Sequence, residues 1–119
     1  MLVLVHGFPT SSWDWHAVWP ALEARFRVVA LDMLGYGLSD KPAGHDYSIF
    51  EQADLQEALL GRLGIGACHV LAHDYGDTVV QELLARRVEK KPGVGTFHSV
   101  CFLNGGLIPG FHRPRPIQR

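Results

Sequence analysis

Hydrophobic positions along this chain fall into short, nearly unbroken runs, separated by segments whose apolar residues recur at helical spacing. Residues 2–5, 26–31, 67–72 and 98–103 are such runs, rich in Val, Leu, Ala, Phe and Cys and bounded by glycine, proline or polar clusters. An apolar run of that length without alternation predicts a strand buried on both faces. Between the runs lie three helical segments. Residues 13–25 are Trp-rich; a second helix opens at Ser48-Ile49-Phe50-Glu51, a capping-box sequence. In that helix Glu51, Asp54 and Glu57 predict an acidic outer face opposite Ala53, Leu59, Leu60 and Leu63. The third helix, residues 77–87, turns Val80, Leu83 and Leu84 inward and ends in Arg86-Arg87, which suits the negative end of its dipole. Strands alternating with helices predict an α/β fold, a parallel four-stranded sheet flanked by helices and joined by right-handed crossovers. Ligands of such sheets bind beyond the carboxyl ends of the strands.

Composition narrows this only a little. The chain has 119 residues, is 47% hydrophobic and carries a net charge of −1. One globular domain follows, with neither the basic patch of a nucleic-acid partner nor a charge suited to anionic membranes. No stretch reaches the roughly 18 apolar residues of a membrane span, and the start lacks a signal-peptide layout, so a cytoplasmic compartment is the default expectation. Cys68 and Cys101 lack metal-ligand spacing and read as buried strand thiols, with a single disulfide as the alternative. No metal or cofactor is expected. A chain whose first residues already form a central strand is expected to start late in its domain.

The loop after the third strand carries the main chemical candidate. Ala72-His73-Asp74-Tyr75-Gly76 has a small residue at each end of a tight strand–turn–helix, the layout of a nucleophile elbow with Asp74 at its tip. Such a turn strains the middle residue and exposes its side chain at the end of the sheet. A carboxylate there faces a helix N-terminus, which favours its ionised form. The alternative is that Asp74 only caps the helix. The loop after the first strand, His6-Gly7-Phe8-Pro9, points backbone amides at the same sheet end. The amides of Phe8 and Tyr75 could then form an oxyanion or leaving-group hole beside Asp74. The loop at residues 32–47 carries Gly35 and Gly37, but neither a dinucleotide fingerprint nor a phosphate loop fits it. Asp32 and Ser39 are therefore expected to satisfy backbone groups. No Gly-x-Ser-x-Gly occurs, which counts against an ester or amide hydrolase with a serine nucleophile.

Taken together, His6-Gly7-Phe8-Pro9, Asp32-x-x-Gly35-x-Gly37-x-Ser39-Asp40 and His73-Asp74-Tyr75-Gly76 resemble, in order and spacing, the α/β-hydrolase fold. More narrowly they resemble its aspartate-nucleophile branch, the epoxide hydrolases and haloalkane dehalogenases. Residues 73–84, Asn104-Gly105-Gly106-Leu107-Ile108-Pro109 and His112-Arg113-Pro114 are similar to mesoderm-specific transcript protein-like hydrolases. The resemblance implies that Asp74 attacks an sp3 carbon of a small electrophile and forms an alkyl ester, with the Phe8 and Tyr75 amides as the oxyanion hole. His6, Gly7, Pro9, Ala72, His73 and Gly76 would be structural members of the motifs. Dehalogenases of this type hold halide through an Asn and a Trp where this chain has Phe8 and Tyr75, so an epoxide-hydrolase-like activity is the expectation. The resemblance also implies a charge-relay acid and a water-activating His beyond a helical cap domain. Residues 1–103 then correspond to the amino-terminal part of the core and residues 104–119 to the irregular start of the cap region, truncated before the cap itself. His16, His45, His69 and His98 read as helix, loop or strand residues, and His112 as a tail residue. Such a chain would alkylate without turnover. The alternative is a non-catalytic binding or assembly module that self-associates through its open sheet edges.

Overall fold

A computed structural model describes residues 1–89 and 95–107. Its elements are β1 (Leu2–Val5), a 3-10 turn (Ser12–Trp15), α1 (Trp19–Glu23), β2 (Val28–Leu31), α2 (Ile49–Arg62), β3 (Ala67–His73), α3 (Tyr75–Val88) and β4 (Thr96–Leu103). The four strands are all parallel, in the order β2-β1-β3-β4. The α/β architecture expected from the alternation of runs is the one observed, with β1 and β3 at the centre. The basic segment 90–94 and the Pro- and Arg-rich stretch from Ile108, His112 included, lie outside the described residues.

β1 is buried along its whole length because apolar residues cover both of its faces. Val3 and Val5 face α2 and α3, in a core shared with Met33, Ala53, Leu60, Val70, Ala72, Val79, Val80 and Leu83. Leu2 and Leu4 face the other way, against Trp15, Trp19, Leu22 and Phe26. An unbroken apolar run is what such two-sided burial demands.

Four expectations change in detail. The helix expected over residues 13–25 is broken into a 3-10 turn and a five-residue α1, because Pro20 has no N–H and fits only the first turn of a helix. The strand expected from Phe26 begins at Val28, since the Phe26 amide closes α1 on Leu22 O at 2.9 Å. Cys68 is buried, but Cys101 is exposed on the edge strand β4, and both thiols are free. The acidic face of α2 is not an outer face. Asp54 and Glu57 turn toward α3 and bind Arg86, whose guanidinium also takes Glu82, at 2.6, 2.8 and 2.7 Å. Arg86 is therefore buried and ties α2 to α3 instead of sitting free at a helix end. Its neighbour Arg87 lies 3.5 Å over the Phe97 ring. The capping box holds in part. Ser48 Oγ accepts the Glu51 amide at 3.1 Å, while the Glu51 carboxylate pairs with His45 at 2.7 Å. Among the described residues no helix is long and apolar enough to cross a membrane.

Candidate active site

The site is built at the carboxyl ends of β1, β2 and β3. β3 runs to His73 and α3 starts at Tyr75, so one residue, Asp74, makes the whole turn. Its backbone is strained, with φ 53° and ψ −116°, a region side chains rarely adopt. The Asp74 amide reaches Leu103 O on β4 at 2.9 Å, and the Asp77 amide returns to Asp74 O at 3.0 Å, which holds the strained residue from both sides. The small residues have the steric role the sequence assigned them. Ala72 is fully buried. A Cβ at Gly76 would sit 2.5 Å from His6 O and 2.6 Å from Val5 O. Those are backbone atoms of the central strand and its exit, so they cannot step aside. Gly76→Ala is expected to cost about 3 kcal/mol, at the upper end of overpacking costs. Chemical denaturation checks it, and an unchanged midpoint would mean the helix enters farther from β1 than described.

Asp74 occupies the N-cap position of α3, yet its side chain makes no cap hydrogen bond. Its Oδ1 instead accepts the Phe8 amide at 2.9 Å, a contact between residues 66 apart in sequence. Gly7 makes this approach possible, because a Cβ there would lie 2.6 Å from Asp74 Cβ. Phe8-Pro9 is a cis peptide and the chain then turns, with the Thr10 amide on Gly7 O at 3.3 Å.

His6 is fully buried beneath this loop. Its Nε2 accepts the Met33 amide at 3.0 Å, which assigns the proton to Nδ1, and Nδ1–H donates to Gly7 O at 2.9 Å. The ring so placed joins the exits of β1 and β2 and has no free nitrogen for catalysis. His73, next to Asp74 in sequence, faces the opposite side of the sheet with its ring edge-on to Trp15 at 6.4 Å. His16 and His69 bond to Trp13 O and Ser99 Oγ. No imidazole lines the cavity over Asp74 among the described residues.

Asp32 and Ser39 do satisfy backbone groups. Asp32 Oδ1 accepts the Ser12 amide at 2.7 Å, Oδ2 accepts the Leu38 amide at 2.8 Å, and Ser39 Oγ–H donates to Asp32 O. Burial by itself would raise the Asp32 carboxyl, but these amides outweigh it and hold the group below its ordinary value.

A cavity of about 510 Å³ opens over Asp74, lined by Phe8, Tyr36, Tyr47, Asp74, Tyr75, Thr78 and Gly106. Phe8, Asp74 and Tyr75 were singled out from sequence; Tyr36, Tyr47, Thr78 and Gly106 were not. The signal for Tyr36 was present, since it stands between the two glycines of the second loop. Burial raises the Tyr36 and Tyr75 hydroxyls above the ordinary tyrosine value, and for Tyr36 the nearby Tyr75 and Asp74 add to it. Asp77, also unnoticed in sequence, is completely buried below the turn, where its Oδ1 accepts the Leu103 amide at 3.4 Å. Burial raises its carboxyl, against the lowering effect of the Leu103 and Gly105 amides. Among the described residues no group of three or more His, Cys, Asp or Glu is placed to hold a metal ion.

Comparison with known proteins agrees with this geometry. The alpha/beta hydrolase fold family profile matches residues 1–102. The mesoderm-specific transcript homolog protein of Bos taurus is 53% identical over 122 aligned residues, which cover 100% of this chain and 36% of that protein. Among solved structures, an alpha/beta hydrolase fold protein from Burkholderia ambifaria superposes with a TM-score of 0.80 at 39% identity, over 98% of this chain and 40% of that one. The haloalkane dehalogenase DbeA from Bradyrhizobium elkani gives 0.73 at 34% identity, over 87% and 33%. The chain thus spans little more than a third of the length of these relatives.

Proposed function

This chain belongs to the alpha/beta hydrolase fold family, and on that premise we propose that it carries the nucleophile half of a hydrolase acting on a small electrophile, with Asp74 as an aspartate nucleophile at an elbow. The observation that carries the proposal is the Phe8 amide on Asp74 Oδ1, combined with a positive φ and an unused helix cap. A cap would turn the carboxylate to its own helix. Here one oxygen is pinned by a distant loop and the other, Oδ2, has no hydrogen-bond partner among the described residues. Oδ2 then attacks an sp3 carbon, the bond from that carbon to its leaving atom breaks, and an alkyl ester remains on Asp74. The Phe8 and Tyr75 amides form the oxyanion hole, which steadies the carboxylate and later the charge built up when the ester is opened. A carboxylate suits an sp3 centre; attack on a carboxylic ester would give an anhydride, with no gain.

The leaving group favours an epoxide over an alkyl halide. Neither Phe8 nor Tyr75 offers a side-chain N–H to receive a halide, and an epoxide keeps its leaving oxygen within the product. With no imidazole in the described lining of the cavity, the ester is expected to persist on this chain and not to turn over. Intact mass spectrometry after exposure to a small epoxide tests this. One adduct per chain, mapped by peptide fragmentation to Asp74, is expected. Steady release of diol over many turnovers would sink the single-turnover part of the proposal.

A second reading, self-association as a binding or assembly module, is favoured by one observation. β4 is an edge strand of eight residues with no charged or proline residue, which leaves a long unprotected row of backbone groups. Size-exclusion chromatography with light scattering decides it. A mass of one chain across the micromolar range excludes pairing through β4.

A further inference from the structure

Three tyrosines line the cavity over Asp74, and their hydroxyls are in different situations. The Tyr47 hydroxyl donates to Pro42 O at 3.1 Å and is committed to holding its own loop. The Tyr36 and Tyr75 hydroxyls have no hydrogen-bond partner among the described residues. Their rings lie 6.2 Å apart, so two unengaged phenol O–H groups share one cavity with an open carboxylate oxygen.

Of these two, Tyr36 is the one the fold mounts. It stands between Gly35 and Gly37, whose φ values of 91° and 49° only glycine adopts readily. Its amide bonds Met33 O at 2.9 Å. Asp32 cradles the loop through two amides, and a Cβ at Gly37 would collide with Asp32 Oδ2. The Tyr36 ring is held edge-on by the buried His6 at 5.5 Å and by Phe8 at 6.3 Å. The Asp32-x-x-Gly-Tyr-Gly segment, which fits no phosphate loop, is thereby a rigid mount that presents one phenol to the cavity.

Opening an epoxide leaves an alkoxide, too basic to depart at neutral pH without a proton donor. We propose that Tyr36 is that donor, a catalytic residue of the half-reaction at Asp74; this rests on the aspartate-nucleophile reading above. In the step, Asp74 Oδ2 forms a bond to the epoxide carbon and the carbon–oxygen bond of the ring breaks. The departing electron pair on oxygen takes the phenolic proton of Tyr36, leaving tyrosinate, which regains a proton from water. The Tyr75 O–H supports the same oxygen. The timing is built in: the Asp74 charge that opposes ionisation of Tyr36 disappears as Asp74 becomes an ester. Tyr36 is thus a better acid at the moment its proton is needed. Thr78, the remaining hydroxyl of the cavity, is an alcohol and a far weaker acid.

The test compares two alkylating reagents of one chain length, 1,2-epoxybutane and 1-bromobutane, with Asp74 labelling rates read by intact mass. Bromide leaves without a proton. For Tyr36→Phe the epoxide rate is expected to fall about 100-fold, while the bromide rate stays within about twofold of the parent. Tyr47→Phe should change neither rate. Loss of both rates together in Tyr36→Phe would assign the ring a packing role and overturn the proposal, as would an unchanged epoxide rate. Parent labelled by bromide but not by epoxide also overturns it while leaving Asp74 as nucleophile. A parent labelled by neither reagent refutes the aspartate-nucleophile reading itself, and this assignment with it.

Discussion

Asp74→Asn takes up no epoxide and melts close to the parent; that pair of results is the expected outcome. The amide of Asn is not a nucleophile toward an sp3 carbon, so the adduct should vanish and not merely slow. Stability should hold for two reasons. Asp74 makes no cap hydrogen bond, so nothing of the usual cap contribution of about 1 kcal/mol is present to lose. Asn also tolerates positive φ better than other non-glycine residues. Its side-chain oxygen can still accept the Phe8 amide. The two competing roles of Asp74 therefore separate cleanly in one variant. A nucleophile loses labelling and keeps its melting temperature; a cap loses stability and has no labelling to lose. Differential scanning fluorimetry beside the mass spectrum reads both, and a variant that is still alkylated at residue 74 would dismiss the nucleophile.

Arg86→Leu should have the largest effect on stability of any single charge removal in this chain. The Arg86 guanidinium, only 10% exposed, binds Asp54, Glu57 and Glu82 and donates to Phe50 O at 3.1 Å. Glu57 and Glu82 are themselves 22% and 17% exposed, so removing the cation strands carboxylates that water reaches poorly. Breaking a buried ion pair from one side costs about 3–5 kcal/mol. In a domain of this size that is a fall in Tm of roughly 10–20 °C. Arg86→Lys should recover little, because one ammonium on a flexible stem cannot reproduce a planar fork that meets four acceptors. Combining Arg86→Lys with Glu57→Gln should recover more, since one stranded carboxylate is then removed. A Leu variant within about 2 °C of the parent would show that the network is open to water. Because Arg86 is pushed further above an already high ordinary value, mainly by its bond to Glu82, its own charge is constant over any usable pH range. The α2–α3 link is therefore not weakened by titration of the arginine as pH rises.

Much of this protein is determined by local sequence. Unbroken apolar runs specify strands buried on both faces, and their alternation with helical segments specifies a parallel sheet with its chemistry at the carboxyl ends. The glycines and alanine around Asp74 and at Gly7 are equally legible, because a turn that tight admits no larger side chain. Pro20 dictated the break in the first helical segment, but only once the chain's path over β1 was known. What sequence could not decide was direction. Asp74 as cap and Asp74 as nucleophile share the same neighbours. The choice was made by the Phe8 amide, brought from 66 residues away by the pairing of β1 with β3. Asp54 and Glu57 have the spacing of a solvated face whether they meet water or Arg86; the packing of α3 on α2 supplied the arginine. Tyr36 sat in plain view between two glycines, yet its place above Asp74 depends on His6, Asp32 and Phe8 converging from two loops. Local chemistry sets which conformations each segment can adopt, and only contacts between distant segments settle which side chain meets which.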